Sequence, residues 1–122
     1  MPSHWEQVVV DAADPGRLGR WWAEALGYVI VDEHADGAYL EIRRGADELP
    51  ALFFLRCDQP RRGKNRLHLD LRPDDQESEV ERLVNMGARP VDIGQGDVPW
   101  VCLADPEGNE FCVLSAPRGA VQ

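Results

Sequence analysis

Basic charge is scarce in this sequence. Its 13 Lys and Arg stand against 22 Asp and Glu, a formal net charge of −9. A nucleic-acid partner requires a basic face to neutralise phosphates, so no nucleic-acid binding is expected. The acidic excess favours solubility and, weakly, cationic over anionic ligands. Cysteine is scarce too: Cys57, Cys102 and Cys112 are the only three. Their odd number and the lack of CxxC or CxxH spacing argue against a disulfide framework or a zinc knuckle, and free thiols are expected. No apolar run approaches the roughly 18 residues of a membrane span, so no membrane partner is expected. Met1-Pro2-Ser3-His4-Trp5-Glu6 has no basic stretch followed by an apolar core, which predicts no secretory leader and a cytoplasmic location. Gly94-Gln95-Gly96 precedes a strand pattern rather than a helix start, which excludes a phosphate loop.

What the chain does have is enough apolar residue for one core. At 122 residues and 43% hydrophobic, it reads as a single globular domain over 1–122. Val8-Val9-Val10 is a short β-branched run. Asp14-Pro15 then opens a helix, with aspartate at the N-cap and proline at the first helical position. Leu18, Trp21, Trp22, Ala25 and Leu26 form one apolar stripe, which assigns both tryptophans to the core, and Gly27 stops the helix. Strands are predicted over 28–31, 38–42 and 51–55. After a polar loop over 56–66 the order restarts. A strand is predicted over 67–71, and Asp74 with Glu77 resembles a capping box. Val80, Leu83, Val84 and Met86 form a second stripe, Gly87 ends it, and strands follow over 89–93, 99–104 and 109–114.

The two halves match by sequence. Leu26-Gly27-x-x-x-Val31-Asp32 recurs as Met86-Gly87-x-x-x-Val91-Asp92, and Asp14 and Asp74 share the same spacing. The chain therefore reads as a tandem duplication, a βαβββ unit over 5–57 and another over 65–115, each needing a partner to bury its sheet. In the last hairpin, Asp105-Pro106 stops one strand, Gly108-Asn109 suits the positive φ of a tight turn, and Phe111 and Val113 resume the β pattern.

The paired units, the Asp14-Pro15…Trp21-Trp22…Leu26-Gly27 helix, the Asn65-Arg66-Leu67-His68-Leu69-Asp70 strand and the Asp105-Pro106-Glu107-Gly108-Asn109 turn together resemble the vicinal oxygen chelate superfamily. It includes glyoxalase I, extradiol dioxygenases, fosfomycin-modifying enzymes and bleomycin-binding proteins. The likeness is closest to its glyoxalase-like domain proteins and covers nearly the whole chain. It implies an α+β fold of tandem βαβββ modules, a half-open sheet cup with outer helices, a divalent metal inside the cup, and a homodimer. The four family ligand positions fall on Gln7, His68, Phe54 (Phe53 if the register slips by one) and Cys112. Phenylalanine cannot ligate, and the two lost carboxylates carried the charge that holds a hard cation. No metal ligand is therefore assigned and no cofactor is expected. A softer metal on Gln7, His68, Cys112 and water is the alternative, weakened because an amide oxygen is a poor zinc ligand.

Alternation along the strands places His68 and Asp70 on the cup face and Leu67, Leu69 and Leu71 on the helix face. A histidine there suits general acid or base chemistry, so His68 is the candidate catalytic residue; its other reading is a hydrogen-bonded cup residue without turnover. Asp70 would orient a ligand or pair with an arginine. Trp100 alternates with Cys102, and with Phe54 it would form an aromatic pocket for a flat or cationic ligand. Glu110 shares a face with Cys112 and reads as a rim carboxylate facing solvent or a cationic ligand. The candidate substrate-binding residues are therefore Gln7, Phe54, Asp70, Trp100, Glu110 and Cys112. Arg56, Arg61, Arg62, Lys64 and Arg66 read as a solvated linker. Two functions follow as expectations: a small-molecule-binding protein with an incomplete metal-ligand set that sequesters a toxic or antibiotic compound, or a lyase, isomerase or dioxygenase using an unconventional divalent metal site.

Overall fold

The computed structural model describes residues 2–115, and the chain divides into two compact units between Pro60 and Arg61. The first contains β1 (Gln7–Ala12), α1 (Pro15–Leu26), β2 (Val29–Glu33), β3 (Tyr39–Arg43) and β4 (Ala51–Arg56). Asp14 caps α1 by accepting the Arg17 N–H at 3.1 Å, Pro15 occupies the first turn, and Gly27 closes the helix at φ 69°. The sheet order is β1-β4-β3-β2, with β1 and β4 parallel and the other pairs antiparallel.

The core of this unit lies between α1 and one face of its sheet. Leu18, Trp21, Trp22 and Ala25 are buried on the helix, and Leu40, Ile42 and Phe54 are fully buried on the sheet. Trp21 and Trp22 meet edge to face at 5.0 Å, in the core as their stripe implied. Gly19 lets the layers close: a Cβ there would lie 2.5 Å from Leu40 Cδ2 and 3.1 Å from Phe54 Cδ2.

The second unit contains β5 (Leu69–Leu71), α2 (Gln76–Asn85), β6 (Arg89–Pro90), β7 (Val101–Ala104) and β8 (Glu110–Val113). Its order, β5-β8-β7-β6, with β5 and β8 parallel and the others antiparallel, repeats that of the first. The fold is thus α+β with two βαβββ modules, each a mixed sheet with one helix. Leu83, Leu103, Val113 and Phe111 form the buried centre of this unit. Among the described residues, no helix is long and apolar enough to cross a membrane.

Several boundaries differ from the sequence reading. The strand predicted over 89–93 is only Arg89–Pro90, with one further backbone bond from the Val91 N–H to the Cys102 carbonyl at 3.1 Å. The strand predicted over 67–71 begins at Leu69, opposite Phe111, and Leu67 is 84% exposed rather than on the helix face. Asp75, not Asp74, caps α2, accepting the Glu77 N–H at 3.2 Å. The sixty-residue repeat spacing therefore holds for the positive-φ glycines Gly27 and Gly87 but slips by one at the N-caps, Asp14 and Asp75, and at the last helical residues, Leu26 and Asn85. The Asp105 turn forms as expected. Its carboxylate is fully buried and accepts the Glu107 N–H at 2.9 Å, the Asn109 N–H at 3.0 Å and the Asn109 side-chain amide at 3.0 Å. Gly108 alone takes positive φ there, and Asn109 contributes its amide instead.

Candidate functional site

Chemistry-bearing side chains of the second unit gather on the face of its sheet opposite the apolar one. Leu69, Leu71, Val101, Leu103, Phe111 and Val113 share one face by register, leaving Asp70, Cys102, Glu110 and Cys112 on the other. Asp70 lies directly opposite Cys112 across the β5–β8 pair, and Cys102 lies opposite Cys112 across β7–β8. His68, just before β5, turns to the same side: its Nε2 is 3.2 Å from Asp70 Oδ1. The ligand atoms of His68, Asp70 and Cys112 all lie within 4.8 Å of one another, and the Cys102 and Cys112 sulfurs are 3.6 Å apart.

Electrostatics separate the roles of these groups. Burial, the neighbouring Cys102 thiol and the Asp70 carboxylate push the Cys112 thiol up to about 12. A thiol held protonated in this way is no nucleophile at neutral pH. The His68–Asp70 pair is better placed for chemistry, an imidazole oriented by a carboxylate with both side chains partly open to solvent.

Glu110 does not face solvent. Its side chain is 11% exposed and pairs with Arg61 Nη1 at 2.7 and 2.6 Å, while the Asn65 N–H reaches Oε1 at 3.4 Å. Burial opposes its ionisation, but Arg61 and the Asn65 amide outweigh that and hold the carboxyl below its usual range. Glu110 therefore pins the 61–65 segment, helped by the Asn65 amide on Asn109 Oδ1 at 2.9 Å. Arg61 is likewise no solvated linker residue. Neither partner's role was visible along the chain, because 49 residues separate them.

The other expected site residues belong to both units. Phe54 is fully buried beneath α1, so its ring is packed in the first unit's core rather than open to a ligand. Phe53 takes the opposite face of β4 and stacks on Tyr39 with centroids 5.1 Å apart, the register noted as the one-residue slip. Gln7 is half-buried at the head of β1, in register with Ala51. Trp100 stands just before β7 and is 38% exposed. The sequence reading also missed a polar group on the first sheet. Glu41, nearly buried, pairs with Arg43 at 2.8 Å, and Asp32 raises the Tyr39 hydroxyl above its ordinary range through its charge, with burial and a hydrogen bond adding. Val29, Asp32, Glu41 and Arg43 line a shallow hollow of about 670 Å³ there.

A sequence model of the glyoxalase-like domain matches residues 7–114. The chain belongs to the glyoxalase-like domain family. That places it in the vicinal oxygen chelate superfamily, as the sequence resemblance indicated. Solved structures agree on the fold. A glyoxalase/bleomycin resistance protein/dioxygenase family enzyme from Burkholderia phytofirmans PsJN has a TM-score of 0.72 at 14% identity, covering 91% of this chain and 97% of its own. The fosfomycin resistance protein FosX from Mesorhizobium loti has 0.69 at 13%, covering 97% and 95%. The trypanothione-dependent glyoxalase I of Leishmania major has 0.65 at 12%, covering 93% and 87%. A search of curated proteins returns no match.

Superfamily members often use a divalent metal, and the donors present in this glyoxalase-like chain can be tested against one. Hard cations such as Mg2+ and Mn2+ select carboxylate and other oxygen donors. The four family positions here carry an amide, an aromatic ring, an imidazole and a thiol at Gln7, Phe54, His68 and Cys112. The slip to Phe53 changes nothing, since that residue is also phenylalanine. The set does not fit a hard divalent ion.

Proposed function

We propose that this glyoxalase-like protein binds a small organic molecule and sequesters it, on the helix-free face of the second unit's sheet. One observation carries the reading: the family fold is complete while none of its ligand positions holds a carboxylate. His68 and Asp70 supply the polar contacts, Cys112 the floor, and the exposed Trp100 an aromatic surface for a flat or cationic compound. The superfamily resemblance supports a homodimer, and three free thiols suit a cytoplasmic setting. Sedimentation at twice the chain mass tests the dimer. A panel of aromatic and cationic compounds, screened by thermal shift and tryptophan quenching, tests the binding. Saturating ligand at about 100 times its dissociation constant stabilises by roughly 2.7 kcal/mol, an easily read rise in melting temperature. Quenching should disappear in Trp100→Phe. A panel that neither shifts melting nor quenches fluorescence sinks the proposal.

A second reading has its own support in the His68–Asp70–Cys112 cluster. It is an enzyme of the superfamily's lyase, isomerase or dioxygenase kind, with His68 as acid or base beside an unconventional divalent metal. Turnover abolished by His68→Ala, with the melting temperature kept, would favour this reading over sequestration.

A further inference from the structure

Cys102 takes part in neither functional reading, yet its sulfur lies 3.6 Å from that of Cys112. We infer that Cys102 and Cys112 form a chelating dithiol that captures a trivalent arsenical, R–As(OH)2, on the helix-free face of the second unit's sheet. This deepens the sequestration reading by naming a class of toxic compound, and rests on that reading for its purpose. The site needs no metal and no imidazole. It takes one of its sulfurs from β7, where no family ligand position falls.

The sheet holds the two thiols ready. Cys102 and Cys112 face each other across the antiparallel β7–β8 pair. The Cys102 carbonyl is turned away from β8, accepting the Val91 N–H at 3.1 Å. The facing pair is therefore of the non-hydrogen-bonded kind, with Cα atoms about 4.5 Å apart and side chains at their closest. Their sulfurs are in van der Waals contact, and a pyramidal arsenic spans two such neighbours. Both residues are buried, at 2% and 4% exposure. The Cys112 sulfur nevertheless lies within 4.8 Å of donor atoms of His68 and Asp70, whose side chains are 37% and 52% exposed. The dithiol thus lies one layer of side chains below solvent, on the side toward which the organic group R would project.

The chemistry suits buried thiols. Two As–S bonds form as two As–O and two S–H bonds break, and each thiol proton leaves on a departing hydroxyl as water. Arsenic stays trivalent, so neither oxidant nor reductant is needed. Burial and then the Cys102 thiol push Cys112 up to about 12, which disfavours partners that need a thiolate. The arsenical instead consumes both S–H groups and leaves a neutral adduct, so no charge is buried. The second As–S bond closes within one molecule, and that effective concentration holds arsenic against free monothiols. Because β7 and β8 already fix both side chains, little rotamer freedom is lost on closure.

The probe is phenylarsine oxide, which hydrates to R–As(OH)2 with R phenyl. Reduced full chain treated with it and then with excess glutathione should retain one phenylarsenic group per chain, read by intact mass. A dithiol, 2,3-dimercaptopropanol, should strip it. Cys102→Ala and Cys112→Ala should each weaken retention about 100-fold, while Cys57→Ser leaves it unchanged. Should either alanine variant fail to fold, the parent chain suffices. Cleavage after Glu107 or Glu110 separates Cys102 from Cys112 along the sequence, and the two peptides should stay joined through arsenic. Arsenic retained without either cysteine, or mapped to Cys57 alone, overturns the site. No retained arsenic also overturns it, and a responsive thermal-shift panel then leaves sequestration standing. Retained arsenic beside a silent panel supports the dithiol and sinks the broader reading.

Discussion

At the scale of single residues, one buried carboxylate organises the last hairpin. Asp105 is fully buried and collects two backbone N–H groups and the Asn109 amide. Asp105→Ala strips those donors of their acceptor inside the fold, and buried unpaired donors cost about 1–3 kcal/mol each. A loss of about 3 kcal/mol or more is expected, read as a lower urea midpoint, with Asp105→Asn falling between the two. A variant as stable as the parent would show that the turn holds without its acceptor. This residue was legible in the sequence because its partners are local: aspartate, proline and glycine act within five positions. Phe54 was less so. Two adjacent phenylalanines look alike along the chain, and only the pairing of Leu40 with Phe54 and Glu41 with Phe53 decides which ring meets the helix. Glu110 was illegible for a similar reason, its neutralising arginine lying in another segment.

At the scale of elements, glycine positions show what helix propensity alone would miss. Alanine is the better helix former by about 1 kcal/mol, so Gly19→Ala in the middle of α1 would stabilise an isolated helix. Here the new methyl would sit 2.5 Å from Leu40 and 3.1 Å from Phe54, both fully buried. Overpacking of this kind costs about 1–3 kcal/mol, so after the propensity gain the net effect is a destabilisation of up to about 2 kcal/mol. Thermal melting of Gly19→Ala checks it, and a raised midpoint would mean that α1 can lift from its sheet without cost. Helices and their stripes were the most legible elements, since the 3.6-residue period needs no tertiary partner. Strand ends were the least. β6 shrank to two residues at Pro90 and β5 lost Leu67, because a strand exists only where another strand accepts its ladder. The cap of α2 moved from Asp74 to Asp75, a choice between adjacent aspartates that local chemistry does not decide.

At the scale of the whole molecule, the duplication was readable from an internal repeat, which is why the fold survived errors in individual boundaries. Charge acts on the same scale and sets the response to acid. Arg82 holds Glu79 below its ordinary value of 4.5, and Arg20 does the same for Glu33. Asp36 lies below its ordinary 3.8, chiefly through the Ala38 amide. A carboxyl depressed in the folded state binds protons more weakly there than in the unfolded chain. Its contribution is therefore complete above the ordinary value and is lost as pH falls through the folded one. These groups are mostly exposed, and each pair is worth little alone. Their loss coincides with a larger change. Protonating the 22 acidic residues leaves 13 Lys and Arg and three His without counter-charge, so a net charge of −9 gives way to strong positive self-repulsion. Both effects have the same sign. The urea midpoint should be lower at pH 3 than at pH 7, and about 0.5 M salt should recover part of the difference, because screening at that strength confines repulsion to a few Å. A midpoint unchanged by acid would mean that neither pairing nor repulsion matters to this fold. One that drops without any recovery in salt would assign the loss to the depressed carboxyls and their hydrogen bonds rather than to the field of the whole chain.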